Sequence, residues 1–245
     1  MRGLEQGFFV GTPEAIANSG KMYEKAVALD PGYADAYAVL GGLRWLEYVW
    51  QSDNDPHALD RAEELACKAI SLDDSNSGAY TVLGWVVAYR GRPNEAIADE
   101  KRAIALDPNY AIAYIALSEI LNIIGKPEES LTYAQKALRL DPNQGGGYLS
   151  QGSAYNAMGR YREALDALRA GQANNLQASN PYLHLELIYT YSELGREQDA
   201  RAEAAEVLRL SPQFSMEVVM KRIPGNCDTP YQRHFLHDLR RAGLK

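Results

Sequence analysis

The chain has 245 residues, with 32 acidic against 25 basic side chains and a formal net charge of −7. This balance excludes the dense Lys/Arg surface that nonspecific nucleic-acid binding needs to replace phosphate counterions. It also speaks against docking on an anionic bilayer, so neither nucleic acid nor membrane is expected as a partner.

In chain order, Leu4–Val10 offers at most a truncated helix, and 13–30 reads as a lone second helix of a helix pair. The phrase KAVALDPGYADAY then ends at Tyr37, KAISLDDSNSGAY at Tyr80, RAIALDPNYAIAY at Tyr114 and KALRLDPNQGGGY at Tyr148, in steps of 43, 34 and 34 residues. The longer first step places an insertion at Gln51–His57. Full helix-turn-helix units are predicted over 34–74, 77–108, 111–142, 145–176 and 181–212. An extra pair of residues in the fifth step is accommodated within 172–181.

Each unit repeats one physical scheme. Its first helix carries an aromatic, then Leu-Gly, as in Tyr80, Leu83 and Gly84. Small residues such as Gly84 and Gly152 let two helix backbones approach. A turn glycine follows at Gly91, Gly125, Gly159 and Gly195. The second helix has an alanine at the crossing: Ala62, Ala96, Ala164 and Ala200. An Asp-Pro closes it, because proline cannot continue a helix. On these residues, Pro13 to Pro212 resembles the tetratricopeptide-repeat family, whose period is about 34 residues. The resemblance implies an all-α, right-handed α-α superhelix (a TPR solenoid) with a C-terminal capping helix. It implies a non-catalytic scaffold that binds a peptide or protein segment in its concave groove.

After Pro212 the repeat stops. A short helix is predicted over 216–222 and a second over 230–242, which groups Phe235, Leu236 and Leu239 with Tyr231 one turn earlier. An amphipathic terminal helix is what a linear array needs to close its last open face. The division expected is 1–212 for the solenoid and 213–245 for the cap. This tail resembles the one that ends the repeat regions of bacterial class III adenylate or guanylate cyclase-like proteins and of winged-helix regulators. The matching residues are Phe214, Ser215, Lys221, Arg222, Pro224, Tyr231, Leu239, Arg240, Ala242, Gly243 and Leu244, with Leu4, Gly7 and Thr12-Pro13-Glu14 at the start. No cyclase or DNA-binding domain is present. The resemblance therefore implies a regulatory or oligomerisation module, with self-association as one mode.

Groove-lining positions of the first helices are predicted at fixed offsets from the Leu-Gly pair. The candidate binding residues are Trp45, Trp85, Glu119, Asn122, Ser153, Asn156 and Tyr189. Trp and Tyr supply anchor area at low entropic cost, and an Asn amide can both donate to and accept from a peptide backbone. The two tryptophans read equally well as packing residues between neighbouring helices. The groove positions offer no Lys or Arg, which argues against a chaperone-tail carboxylate clamp.

No catalytic group, cofactor or metal is expected. Cys227, His234 and His237 have a spacing that fits no standard metal site, and His184 reads as a packing residue. There is no phosphate loop and no nucleophile elbow. Cys67 and Cys227 lie far apart and imply no disulfide framework. The start of the chain has Glu5 where a secretory leader has an apolar run. The most apolar stretch, 111–125, contains Glu119 and is too short for a bilayer. A cytoplasmic location is the expectation.

Overall fold

The computed structural model describes residues 13–49, 57–173, 180–222 and 229–245. Leu4–Val10, most of the 51–57 insertion, the 174–179 part of the extra-pair segment, and Cys227 lie outside the described residues. The described residues form thirteen helices joined by turns, with no strand among them. In chain order they are α1 Pro13–Leu29, α2 Ala34–Val49, α3 Ala58–Leu72, α4 Ser77–Tyr89, α5 Pro93–Leu106, α6 Ala111–Ile123 and α7 Pro127–Leu140. They continue with α8 Gly145–Ala157, α9 Tyr161–Ala173, α10 Pro181–Glu193, α11 Glu197–Leu210, α12 Met216–Arg222 and α13 Pro230–Arg241. No helix among them is long and apolar enough to cross a membrane.

Two local devices make the repeat. Inside each of the last four units the turn glycine has φ between 70° and 76°, a left-handed conformation that carries no steric penalty only for glycine. The next residue's N–H reaches five residues back, as in Arg92 N to Val87 O at 3.1 Å and Arg160 N to Tyr155 O at 2.8 Å. This is the Schellman closure, which satisfies helix-end carbonyls. Between units, the aspartate after the second helix folds back on itself. Asp30, Asp73, Asp107 and Asp141 each accept the backbone N–H two residues on, at 2.9 Å. Such Asx turns give the chain an alternative to continuing the helix.

Packing follows from small residues at the crossings. Ala62, Ala96 and Ala164 are fully buried and Ala200 is 1% exposed. A Cβ on Gly152 would stand 2.5 Å from Leu168, and one on Gly84 would stand within hard contact of Glu100 and 3.3 Å from the Ala96 carbonyl oxygen. The α4–α5 pair therefore has no spare volume. Ala96→Trp is expected to lower stability by about 1–3 kcal/mol or more through overpacking. Lys101→Ala, on the exposed side of α5, should stay within about 0.5 kcal/mol. Equal urea midpoints for the two variants would show that the repeat phase is wrong.

The array curls tightly. The Tyr182 hydroxyl, at the start of α10, donates to the Val49 carbonyl oxygen at the end of α2, 3.2 Å away and 133 residues distant in sequence. The first helices of units one and five thus meet across the inner face.

The tail closes the far end. Leu239 and Leu244, 0% and 2% exposed, join Ile188, Tyr191, Ala200, Ala204 and Val207 in one core. The Met216 N–H donates to the Lys245 carbonyl oxygen at 2.8 Å. Helix α13 starts with a capping box between Thr229 and Gln232. Its first turns do not stop at the end of the array, as a simple cap would, but run back along the inner face.

Candidate functional site

Every unit contributes its first helix to the inner wall, because the second helices pack on the outside of the curl. The wall lines a partly open cavity of about 220 Å³. Trp45, Leu46 and Val49 come from α2; Trp85, Ala88 and Tyr89 from α4; and Glu119, Asn122 and Ile123 from α6. Leu149, Ser150 and Ser153 come from α8, and Tyr182, Leu185 and Glu186 from α10. Val219 of α12 and Tyr231, Gln232 and Phe235 of α13 lie on the remaining side.

Of the residues predicted to bind, Trp45, Trp85, Glu119, Asn122 and Ser153 all line this cavity. The tryptophans serve as packing and lining at once. Their rings stack at 4.2 Å with 8° between planes, and they are 4% and 2% exposed. Asn156 and Tyr189 are not among the lining residues. Asn156 is 1% exposed and Tyr189 2%. Tyr189 lies under α13, 5.3 Å from the Tyr231 ring and 5.7 Å from that of Phe235.

The amides are engaged inside the protein. Asn122 Nδ2 donates to Ser153 Oγ at 2.7 Å, and Ser153 Oγ donates to Glu186 Oε1 at 2.8 Å. Asn156 Nδ2 donates to Glu186 Oε2 at 2.7 Å, and Thr190 Oγ1 donates to Asn156 Oδ1 at 3.0 Å. The Tyr231 hydroxyl donates to both Glu186 oxygens at 2.9 Å. Gln232 Nε2 donates to the Ile123 carbonyl oxygen at 3.4 Å, so α13 bridges α10 and α6. Glu186 is thus a carboxylate surrounded by neutral donors. Burial nevertheless pushes its carboxyl above the usual range, against the hydrogen bonds from Asn156, Ser153 and Tyr231.

Glu119 is held differently. Among the described residues it accepts one hydrogen bond, from Trp85 Nε1 at 3.1 Å. Burial pushes its carboxyl up to about 7, the indole bond opposing. Behind the wall, Glu100 is fully buried and accepts from Thr81 Oγ1 at 3.0 Å. Burial raises its carboxyl well above the ordinary value.

The sequence pattern does not single out Glu186, Glu100 or Tyr231 as site residues. A signal for the acids of the wall exists: Glu119 and Glu186 are isolated acids inside otherwise apolar first helices, ALSEILNI and PYLHLELIY. A charged residue seldom occupies such a position without a partner. His184, read as a packing residue, is 2% exposed and sits 2.6 Å from Glu203 Oε2. Of the tail histidines, His234 is exposed and His237 pairs with Asp238 at 2.9 Å.

The tetratricopeptide-repeat profile matches residues 81–145 and 149–213, just over half the chain. Among curated proteins none matches. Solved structures with a similar fold include TTC0263, a thermophilic TPR protein in Thermus thermophilus, at 22% identity and TM-score 0.59, covering 74% of this chain and 96% of that one. A chain of the APC/C hetero-tetramer Cut9–Hcn1 is similar at 18% identity and TM-score 0.65, over 85% of this chain and 40% of that one. A monomeric mutant of IFIT1 with Gppp-AAAA is similar at 15% identity and TM-score 0.69, over 94% of this chain and 55% of that one. At these identities the likeness is one of fold.

Proposed function

We propose that this chain, which belongs to the tetratricopeptide-repeat family, is a non-catalytic scaffold whose inner face takes a segment of a partner protein. The observation that carries the reading is the wall itself. Four successive first helices, α2, α4, α6 and α8, place Trp45, Trp85, Glu119, Asn122 and Ser153 around one apolar cavity, and α10 completes the row with Leu185 and Glu186. Aromatic anchors with a few directed polar groups are the usual makeup of a binding pocket. Asn156 and Tyr189 act from behind the wall, the first by orienting Glu186 and the second by supporting Tyr231 and Phe235. Because α2 and α10 meet across the inner face, the partner inserts a side chain or a chain end rather than laying an extended strand along the whole groove.

A random-peptide selection against the full chain tests this. Enriched peptides are expected to lose at least about tenfold in affinity for Leu149→Arg, which fills the cavity from α8, a loss of about 1.4 kcal/mol. Peptides that bind wild type and Leu149→Arg alike would place the interaction elsewhere.

A second reading, the regulatory or oligomerisation module of a cyclase-like or winged-helix signalling protein, draws on α13. Two residues of that tail resemblance, Tyr231 and Leu239, lie in the inner wall and the end core respectively. A tail seated on the inner face is an arrangement that a partner could displace. Light scattering over a concentration series addresses the self-association form of this reading: a concentration-independent monomer removes it.

A further inference from the structure

We infer that the inner cavity is a binding site for a primary alkylammonium cation, with the Glu119 carboxylate as its counter-charge. The inference goes beyond the scaffold reading, because a free amine could occupy the cavity even if no polypeptide does.

Charge is the first support. Two carboxylates, Glu119 and Glu186, line one cavity, and among the described residues no Lys, Arg or His lines it. Placing an acid in an apolar wall costs free energy unless a positive partner or several donors compensate. Glu186 has its donors: Ser153, Asn156 and Tyr231. Glu119 has only the Trp85 indole among the described residues, so it retains unused acceptor capacity.

Hydrogen bonding is the second. Among the described residues, Asn122 Oδ1 and Ser150 Oγ, both on residues that line the cavity, are buried without a hydrogen-bond partner, as is one donor, Trp45 Nε1. With Glu119 they put three acceptor groups on residues of one cavity wall, and a primary ammonium carries three donors. Buried polar atoms left unpaired are uncommon, and each one calls for an explanation. The remaining wall is aliphatic and aromatic; its aromatics include Trp45, Tyr89 and Tyr182, and such faces attract a desolvated cation.

Size is the third. A cavity of about 150 Å³ holds benzene, and this one, at about 220 Å³, has room for a short alkyl chain behind the ammonium. A carboxylate ligand is disfavoured by the two acids.

Calorimetry on the full chain decides it, with pentylammonium chloride, 1-pentanol and a capped lysine (N-acetyl-lysine methylamide) as probes. Pentylammonium is expected to bind at least about tenfold more tightly than the isosteric alcohol, and Glu119→Gln should remove that preference. Wild type supplies an independent arm. Because Glu119 titrates near 7, pentylammonium should bind more tightly at pH 8 than at pH 6, while the amine itself, with a pKa of about 10, stays charged. The other groups facing that space are Trp85 and Tyr89 on α4, Ser153 on α8, Tyr182 and Glu186 on α10, and Tyr231 on α13, while Glu100 on α5 couples to Glu119 from behind the wall. The carboxyls of Glu186 and Glu100 are also raised, so their ionisation pulls in the same direction.

Binding of both pentylammonium and the capped lysine identifies a lysine side chain as an acceptable source. Binding of pentylammonium alone identifies a small amine. Equal affinity for pentylammonium and pentanol, loss of neither in Glu119→Gln, or no binding of either cation overturns the inference. A failed peptide selection leaves it standing.

Discussion

Removal of residues 229–245 is expected to lower the melting temperature by about 5 °C or more and to expose apolar surface, while the repeats stay helical. Burial sets the scale. Leu239 and Leu244 are almost completely buried against α10 and α11, and burying a leucine contributes about 1.5–3 kcal/mol. Part of that is offset by the conformational entropy of ordering the tail. For a chain of this size each 1 kcal/mol moves the midpoint by about 2–4 °C. The polar side adds to the loss. Without Tyr231, the Glu186 carboxylate loses a donor that reaches both its oxygens, and leaving a buried charge short of donors costs about 1–3 kcal/mol. The exposed end of the array then becomes a sticky apolar patch. Dye binding and light scattering should both rise on truncation. Limited proteolysis of the intact chain gives the opposing test. Cleavage of the 230–241 segment at the rate of a disordered terminus, with an unchanged melt for the truncated chain, would mean that the tail does not cap the fold.

The second large effect is on pH dependence, and its sign is unusual for an acidic protein. Glu119, Glu100 and Glu186 all have carboxyls raised in the folded state, chiefly by burial. Between the unfolded carboxyl value of about 4.3 and the folded values, the native state holds protons that the unfolded chain has released. Stability therefore falls as pH rises through this window. For Glu119, raised to about 7, the loss is on the order of 3 kcal/mol. Asp99, raised to about 6, pulls the same way but is partly in water, where screening reduces its weight. Asp73, Glu163 and Glu206 are lowered by hydrogen bonds from Ser75, Arg160 and Arg209. Their contribution is lost only in more acidic solution. Urea midpoints should thus be higher at pH 5 than at pH 8, and Glu119→Gln should flatten part of that slope. A midpoint that rises steadily from pH 5 to pH 8 would refute the assignment of these carboxyls to uncompensated buried sites.

The sequence alone determined whatever is built from neighbouring residues. The 34-residue spacing, the turn glycines and the junction aspartates each act within a few positions, through left-handed backbone at Gly91 or Gly159 and an Asx turn at Asp107 or Asp141. The helix boundaries follow from these devices, and so does the burial of Ala62, Ala96, Ala164 and Ala200 at the crossings. The same periodicity placed Trp45, Trp85, Glu119, Asn122 and Ser153 on the inner face, since each occupies a fixed offset in its unit.

Only the tertiary structure decided what that face becomes. Asn122 and Asn156 hold equivalent positions in consecutive units, yet one lines the cavity and the other is buried beneath Glu186. The hydrogen bond from Tyr182 to Val49 joins residues 133 positions apart, and the one from Gln232 to Ile123 spans 109. Such contacts depend on how small angles between successive units add up, and on where the tail lands after the last turn. No local signal encodes that sum. A nearly straight array and a closed one can share the same repeat, because each helix pair is stabilised by its own crossing and its immediate neighbours, while the curl that brings unit five to unit one is set by all the interfaces together.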